Sequence, residues 1–133
     1  MFFMNYFVEI KNSKINGKGL FSLKDFSKGE EIYVLKKGKI ITAEEIENLS
    51  DLEKLHLDKI GDDQFEIIEE PGCYINHSCN SNVEEKNRKG IALRTIKKGE
   101  EITIDYDKIA YLENPFECHC EASNCRGLIK GKS

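Results

Sequence analysis

Hydrophobic positions along this chain come in short runs, broken by polar steps that carry glycine, lysine or asparagine. Such spacing predicts many short strands joined by tight turns. Residues 6–10 read as a first strand. A polar loop punctuated by Gly17 and Gly19 follows, then the brief apolar step Leu20-Phe21-Ser22-Leu23. Lys28-Gly29-Glu30-Glu31 predicts a turn into a strand at 32–35, and Lys37-Gly38 a second turn into a return at 39–41. At Thr42 the pattern changes. Thr42-Ala43-Glu44-Glu45 and Ser50-Asp51-Leu52-Glu53 both match the capping box. They predict two short helices, with Ile46 and Leu49 as the apolar face of one and Leu52 and Leu55 of the other; a single bent helix is the alternative. This helical insert is expected over about 42–60. Gly61-Asp62-Asp63 closes it before a strand at 65–68. Pro71-Gly72 predicts a turn, Cys73-Tyr74-Ile75 one extended step, and 90–94 another strand. Lys98-Gly99 then turns into a strand ending on Tyr106. Residues 98–102 repeat residues 28–32 letter for letter, which reads as one turn-into-strand device used twice, since two copies are too few for a solenoid.

Two features do not fit a purely structural reading. Asn76-His77-Ser78-Cys79-Asn80-Ser81-Asn82 is a short polar cluster with a cysteine in it, and Tyr106 ends a strand beside acidic residues. Both look like parts of a site. The tail adds Cys118-His119-Cys120 and Cys125, three thiols within eight residues. Zinc takes four ligands in a tetrahedron and suits sulfur. The fourth must come from elsewhere in the chain or from His119; Cys79, beside the polar cluster, is the better candidate. Cys73 reads as a small core residue, and His56, at the end of a predicted helix, as a surface residue.

A length of 133 residues predicts one domain. The formal charge of −4 argues against direct nucleic-acid binding and suits a basic, lysine-bearing partner. No apolar run reaches the roughly 20 residues of a membrane span, so no membrane association is expected. Met1-Phe2-Phe3-Met4 is interrupted early by Glu9 and has no basic flank, unlike a secretory signal. The expected location is intracellular, in the cytoplasm or with a basic protein substrate. Five cysteines without a secretory signal argue against a disulfide framework.

The motifs together resemble the SET-domain family of protein-lysine methyltransferases. Gly17-Lys18-Gly19 is similar to its N-terminal G-x-G element. Asn76-His77-Ser78-Cys79 with Asn82 resembles N-H-S-C-x-P-N, and Gly99-Glu100-Glu101-Ile102-Thr103 through Asp105-Tyr106 resembles G-E-E-L-T-F-D-Y. Phe116, Cys118, Cys120, Cys125, Arg126 and Gly127 resemble the post-SET segment. The resemblance implies a mainly β fold with short helices, the β-clip fold of small curved sheets with a pseudoknot and a C-terminal zinc-bound segment. It divides the chain into a SET domain at 1–113 and a post-SET segment at 114–133. It implies S-adenosylmethionine as methyl donor, a lysine in a protein or peptide as acceptor, and Zn2+ on Cys79, Cys118, Cys120 and Cys125. By the same resemblance Tyr106 is the catalytic residue. Lys18, Gly19, Tyr74, Asn76, His77 and Tyr106 would bind the donor, and Tyr33 and Ile104 would line the lysine channel. Ser81 stands where the family carries proline, Glu121 where it carries glycine, and Ile104 where many members carry an aromatic residue. The expectation is a small stand-alone, zinc-stabilised lysine methyltransferase. The alternatives are a catalytically silent interaction module and a thiol-rich metal or redox sensor.

Overall fold

The structure is a computed structural model and describes residues 7–132. Residues 1–6, which include the start of the first expected strand, lie outside the described residues.

Among the described residues the chain builds twelve strands, none longer than five residues. They are β1 (Val8–Asn12), β2 (Lys18–Ser22), β3 (Glu31–Val34), β4 (Ile40–Ile41), β5 (Leu57–Gly61) and β6 (Gln64–Ile67), followed by β7 (Asn76–His77), β8 (Val83–Lys86), β9 (Lys89–Ala92), β10 (Glu101–Ile104), β11 (Phe116–Glu117) and β12 (Leu128–Ile129). Two short α-helices, α1 (Asp51–Leu55) and α2 (Tyr106–Ile109), and two 3-10 segments, Ala43–Asn48 and Gly72–Tyr74, complete the fold. The sheets run β1-β2-β10-β7, β3-β9-β8, β4-β6-β5 and β11-β12. This is the mainly β architecture of small sheets that the sequence predicts.

The repeated pentapeptide has a structural reason. Gly29 and Gly99 take φ of 87° and 90°, left-handed values that glycine adopts without penalty. The two turns then clasp the chain in matching ways. Phe26 and Ile96 form an antiparallel bridge, Gly29 N donates to Ala92 O, and Gly99 N donates to Ser22 O, both at 2.8 Å. Glu30 and Glu100 each accept the backbone N–H three residues earlier, at 3.0 Å. The device is therefore used twice face to face, and it starts β3 and β10.

Three expectations are corrected. The helical insert ends at Leu55, and residues 57–61 form β5, which pairs with β6. Cys73 and Tyr74 belong to a 3-10 turn, not an extended step. Tyr106 does not end a strand but opens α2, because the Asp105 side chain accepts Asp107 N at 3.1 Å and caps the helix. The β8–β9 hairpin also went unpredicted. Its turn residues, Asn87 and Arg88, have φ of 52° and 67°. Arginine stands where such turns favour glycine, and its guanidinium offsets the cost by a two-pronged bond to Glu66 at 2.9 and 2.7 Å.

Leu20, Tyr33, Ile75, Ile96, Ile102 and Ile129 are fully buried in the main core; Ile41, Ile46, Leu57, Phe65 and Ile67 form a second cluster under the helical insert. Ile129 and Cys118 come from the tail, so that segment packs into the same core. Among the described residues no helix is long and apolar enough to cross a membrane.

Candidate active site and metal centre

The polar cluster is held at one edge of the four-stranded sheet, against its inner strand β10. β7 lies parallel to β10, with Asn76 opposite Thr103 and His77 opposite Ile104. Asn82, 2% exposed, locks the far end of the cluster. Its carbonyl accepts Thr103 N at 2.9 Å and its amide donates to Glu101 O at 2.8 Å, completing backbone groups that no strand reaches. The Asn76 amide nitrogen is spent on Asn16 O, Lys18 O and Glu101 Oε2 at 2.9–3.1 Å. It ties the glycine loop to the cluster and leaves only its own carbonyl for a ligand. Gly19 lies under this loop, where a Cβ would overlap the Glu101 carboxylate; Gly17 and Lys18 form the open surface.

The His77 ring joins two parts of the site. Its Nδ1 accepts Tyr106 N–H at 3.0 Å, so the proton sits on Nε2, which faces Cys79 Sγ at 3.4 Å. Asp105 Oδ1 is 3.7 Å from Nδ1 and favours the charged ring, but burial outweighs it and lowers the pKa. His77 is neutral, with Nε2–H aimed at the sulfur.

Cys79, Cys118, Cys120 and Cys125 place their sulfurs within 4.8 Å of one another. Cys79 and Cys118 are 3.8 Å apart, close to the roughly 3.8 Å edge of a sulfur tetrahedron with zinc–sulfur bonds of about 2.3 Å. Burial pushes the Cys118 thiol up. At Cys120 burial acts the same way, but hydrogen bonds from the backbone of Cys79 and Ala122 outweigh it and bring the thiol down to about 6. Arg126 N also donates to Cys79 Sγ at 3.3 Å. The cluster fits a tetrahedral zinc ion. His119 is not part of it.

Two cavities flank Tyr106. The larger, about 510 Å³, is walled by residues 15–18, Tyr74, Asn76, His77, Phe116 and the tail at 117–119. The smaller, about 190 Å³, is lined by Ile104, Ile109, Leu57, Asp58, Glu85 and Arg88 among others. Leu55, His56 and Tyr106 face both. A wall of three side chains thus separates a larger pocket, mostly apolar with a few placed polar groups, from a smaller one lined by both acidic and basic side chains. Tyr106 is 4% exposed. Its hydroxyl donates to Ile75 O at 2.6 Å, and burial holds the phenol far above its ordinary pKa.

The family pattern described as the SET domain matches residues 17–107. The chain belongs to the SET-domain family. Histone-lysine N-methyltransferase Set2 of Drosophila melanogaster is 43% identical over 67 residues, covering 44% of this chain and 3% of the relative. A histone-lysine N-methyltransferase of Saccharomyces cerevisiae, H3 lysine-36 specific, is 44% identical over 68 residues, covering 45% and 9%. This SET chain therefore spans a small fraction of the length of the curated relatives it matches. The crystal structure of the methyltransferase domain of human histone-lysine N-methyltransferase SETMAR superposes with a TM-score of 0.70 at 15% identity. The match covers 97% of this chain and 60% of that one, and it shows the same SET fold.

The expected residues fall into three places. Lys18, Tyr74, Asn76, His77 and Tyr106 meet at the larger cavity. Ile104 lines the smaller one. Tyr33 reaches neither: it is fully buried, donates to Glu85 Oε2 at 2.7 Å, and fits because Gly90 has no Cβ to strike its ring. Sequence reasoning missed His56. It is buried, not on the surface, and hydrogen-bonded to Tyr106 Oη at 2.9 Å. Its one sequence signal is its place between Leu55 and Leu57, at the junction of a helix and a strand.

Proposed function

We propose that this SET domain transfers a methyl group from S-adenosylmethionine to the side-chain amine of a lysine in a protein. The observation that carries the reading is the pair of cavities meeting at Tyr106, one of about 510 Å³ and one of about 190 Å³. The larger cavity would hold the donor against the backbone of residues 16–18, the Asn76 carbonyl and the rings of Tyr74 and Phe116. When bound, the donor supplies an electrophilic methyl carbon. The smaller cavity, lined by Leu55, Leu57, Ile104 and Ile109 with Asp58 and Glu85 among its polar groups, would admit the lysine side chain. Lysine ordinarily titrates near about 10.4, and a dry passage disfavours its charged form. Tyr106 then aligns the neutral amine for in-line attack, an advantage worth several kcal/mol when the reacting atoms are held close.

The Set2-like relatives carry histone and H3 lysine-36 in their names, and the net charge of −4 suits a basic protein of that class. Zinc on the four cysteines would hold residues 116–119 over the donor. We read residues 114–133 as the post-SET segment and the rest as the SET domain.

Labelled donor, recombinant core histones and a cell lysate test the reading together. Tyr106→Phe should leave donor affinity, measured by calorimetry, within about twofold and lower turnover on the order of 10²-fold, the usual cost of one preorganised hydrogen-bonding group. Full turnover in that variant would remove Tyr106 from the mechanism. A protein that takes no donor in calorimetry would instead be a silent interaction module.

A further inference from the structure

We propose, on the methyl-transfer reading above, that Lys132 is a modification site: a methyl acceptor that enters the smaller cavity from the chain's own tail.

The tail runs back along the helix that Tyr106 opens. Asp107 Oδ1 accepts Lys130 N and Gly131 N at 2.9 Å, and Ala110 O accepts Lys132 N at 2.7 Å. Three consecutive tail residues are thus hydrogen-bonded to the first turn of α2 and to Ala110, which caps its end. The approach is close. Gly131 has φ of 84°, and a Cβ there would stand 2.8 Å from Ala110 O. The backbone of Lys132 is therefore fixed to a residue about one helical turn beyond Tyr106.

From that anchor the side chain lines the smaller cavity, in company with Ile104, Tyr106 and Ile109. No other lysine among the described residues lines it. Lys132 Nζ lies 3.4 Å from Asp58 Oδ1, and the two side chains are 44% and 35% exposed. Lys132 therefore stands on the solvent side of the cavity, where its ammonium is hydrated. Water screens an exposed pair of this kind, so Asp58 holds the ammonium weakly. The other charged groups of the cavity have partners of their own. Arg88 is bonded twice to Glu66, and Glu85 accepts the Tyr33 hydroxyl. Rotation about the flexible four-carbon stem of lysine turns Nζ from Asp58 toward Tyr106 while the backbone bonds stay in place.

The chemistry is that of a lysine on any other protein. The ammonium first gives a proton to water. The lone pair of Nζ then forms a bond to the methyl carbon, and the pair of the broken carbon–sulfur bond goes to the donor's sulfur, which loses its positive charge. What differs is the encounter. An acceptor on the same chain needs none, so the reaction is first order in protein.

The test incubates the full chain with S-adenosylmethionine carrying a labelled methyl group and locates the methyl groups by tandem mass spectrometry. Methyl groups acquired during expression count equally and are read in the same spectra. The expected result is methylation of Lys132, with a rate constant unchanged over roughly tenfold dilution of the protein. A rate constant that falls on dilution would put the lysine of one copy into the cavity of another, and would overturn the proposal. Tyr106→Phe should slow the labelling on the order of 10²-fold; an equal rate in that variant would place the reaction outside the site and overturn it too. Lys132→Arg keeps a cation for Asp58 but offers no amine, and should remove the label. Label that instead sits on Lys130 or another lysine counts against Lys132. Parallel reactions with core histones and a cell lysate separate this proposal from the reading it rests on. Methylated lysine in those proteins with none on Lys132 overturns the proposal alone, and no methylation of any protein overturns both.

Discussion

At the scale of single residues, the site depends on polar side chains that finish backbone hydrogen bonding. Asn82 is the clearest case. It pairs with Thr103 N and Glu101 O from a loop, at the point where the ladder between β7 and β10 has run out. Asn82→Ala leaves both groups buried and unpaired. We expect a loss of about 2–3 kcal/mol in denaturant unfolding, from the desolvation of those groups. Asn82→Asp keeps the acceptor for Thr103 N but turns a donor into a charge beside Glu100, and should be at least as costly. A change below about 0.5 kcal/mol in either variant would show that water replaces the side chain. This role explains why an asparagine closes the 76–82 motif without lining either cavity.

At the scale of elements, α1 has the most to carry. It is only five residues long, yet Leu55 and the His56 that follows it form most of the wall between the cavities. A helix this short does not persist on propensity alone. Its capping box supplies what is missing: Glu53 N donates to Ser50 Oγ at 3.2 Å, and Ser50 N to Glu53 Oε1 at 2.9 Å. Ser50→Ala should cost about 1 kcal/mol in thermal melts. Because the strain falls on the cavity wall, it should also reduce kcat more than donor affinity. Equal melting temperatures would mean that tertiary packing alone holds the turn. Leu52, placed by its spacing on the buried face, is instead 40% exposed and borders the larger cavity, so the apolar face of α1 meets the cavity as much as the core.

At the scale of the whole molecule, the tail and the candidate site form one unit. Arg126 bridges Asp105 and Asp107 at 2.9 and 2.8 Å, and Asp107 Oδ1 accepts Lys130 N and Gly131 N at 2.9 Å. The cysteine cluster ties the same segment to Cys79, and His77 links Cys79 to the backbone of Tyr106. Removing metal with a chelator should therefore expose residues 114–132 to proteases before the rest of the chain. It should also weaken donor binding about 10-fold or more, since Phe116, Cys118 and His119 line that cavity. Cys79→Ser should behave as the chelated protein does. Unchanged proteolysis and donor affinity after metal loss would show that packing of Ile129 and Phe116 suffices.

The sequence by itself determined what depends on neighbours along the chain. Both caps, the paired glycine turns, the β-rich pattern and the three tail thiols are local signals, and they stand where the spacing put them. Only the tertiary structure decided what depends on residues far apart. Leu57-Asp58-Lys59-Ile60-Gly61 contains poor strand formers and becomes β5 because β6 offers it a partner. Tyr33 turns from the channel to Glu85 because β9 and its Gly90 pack against it. His56 is one polar residue between two leucines until a tyrosine fifty positions later closes over it. Burial and hydrogen-bond partners across such distances leave no periodicity to read, because they arise only once the sheets have assembled.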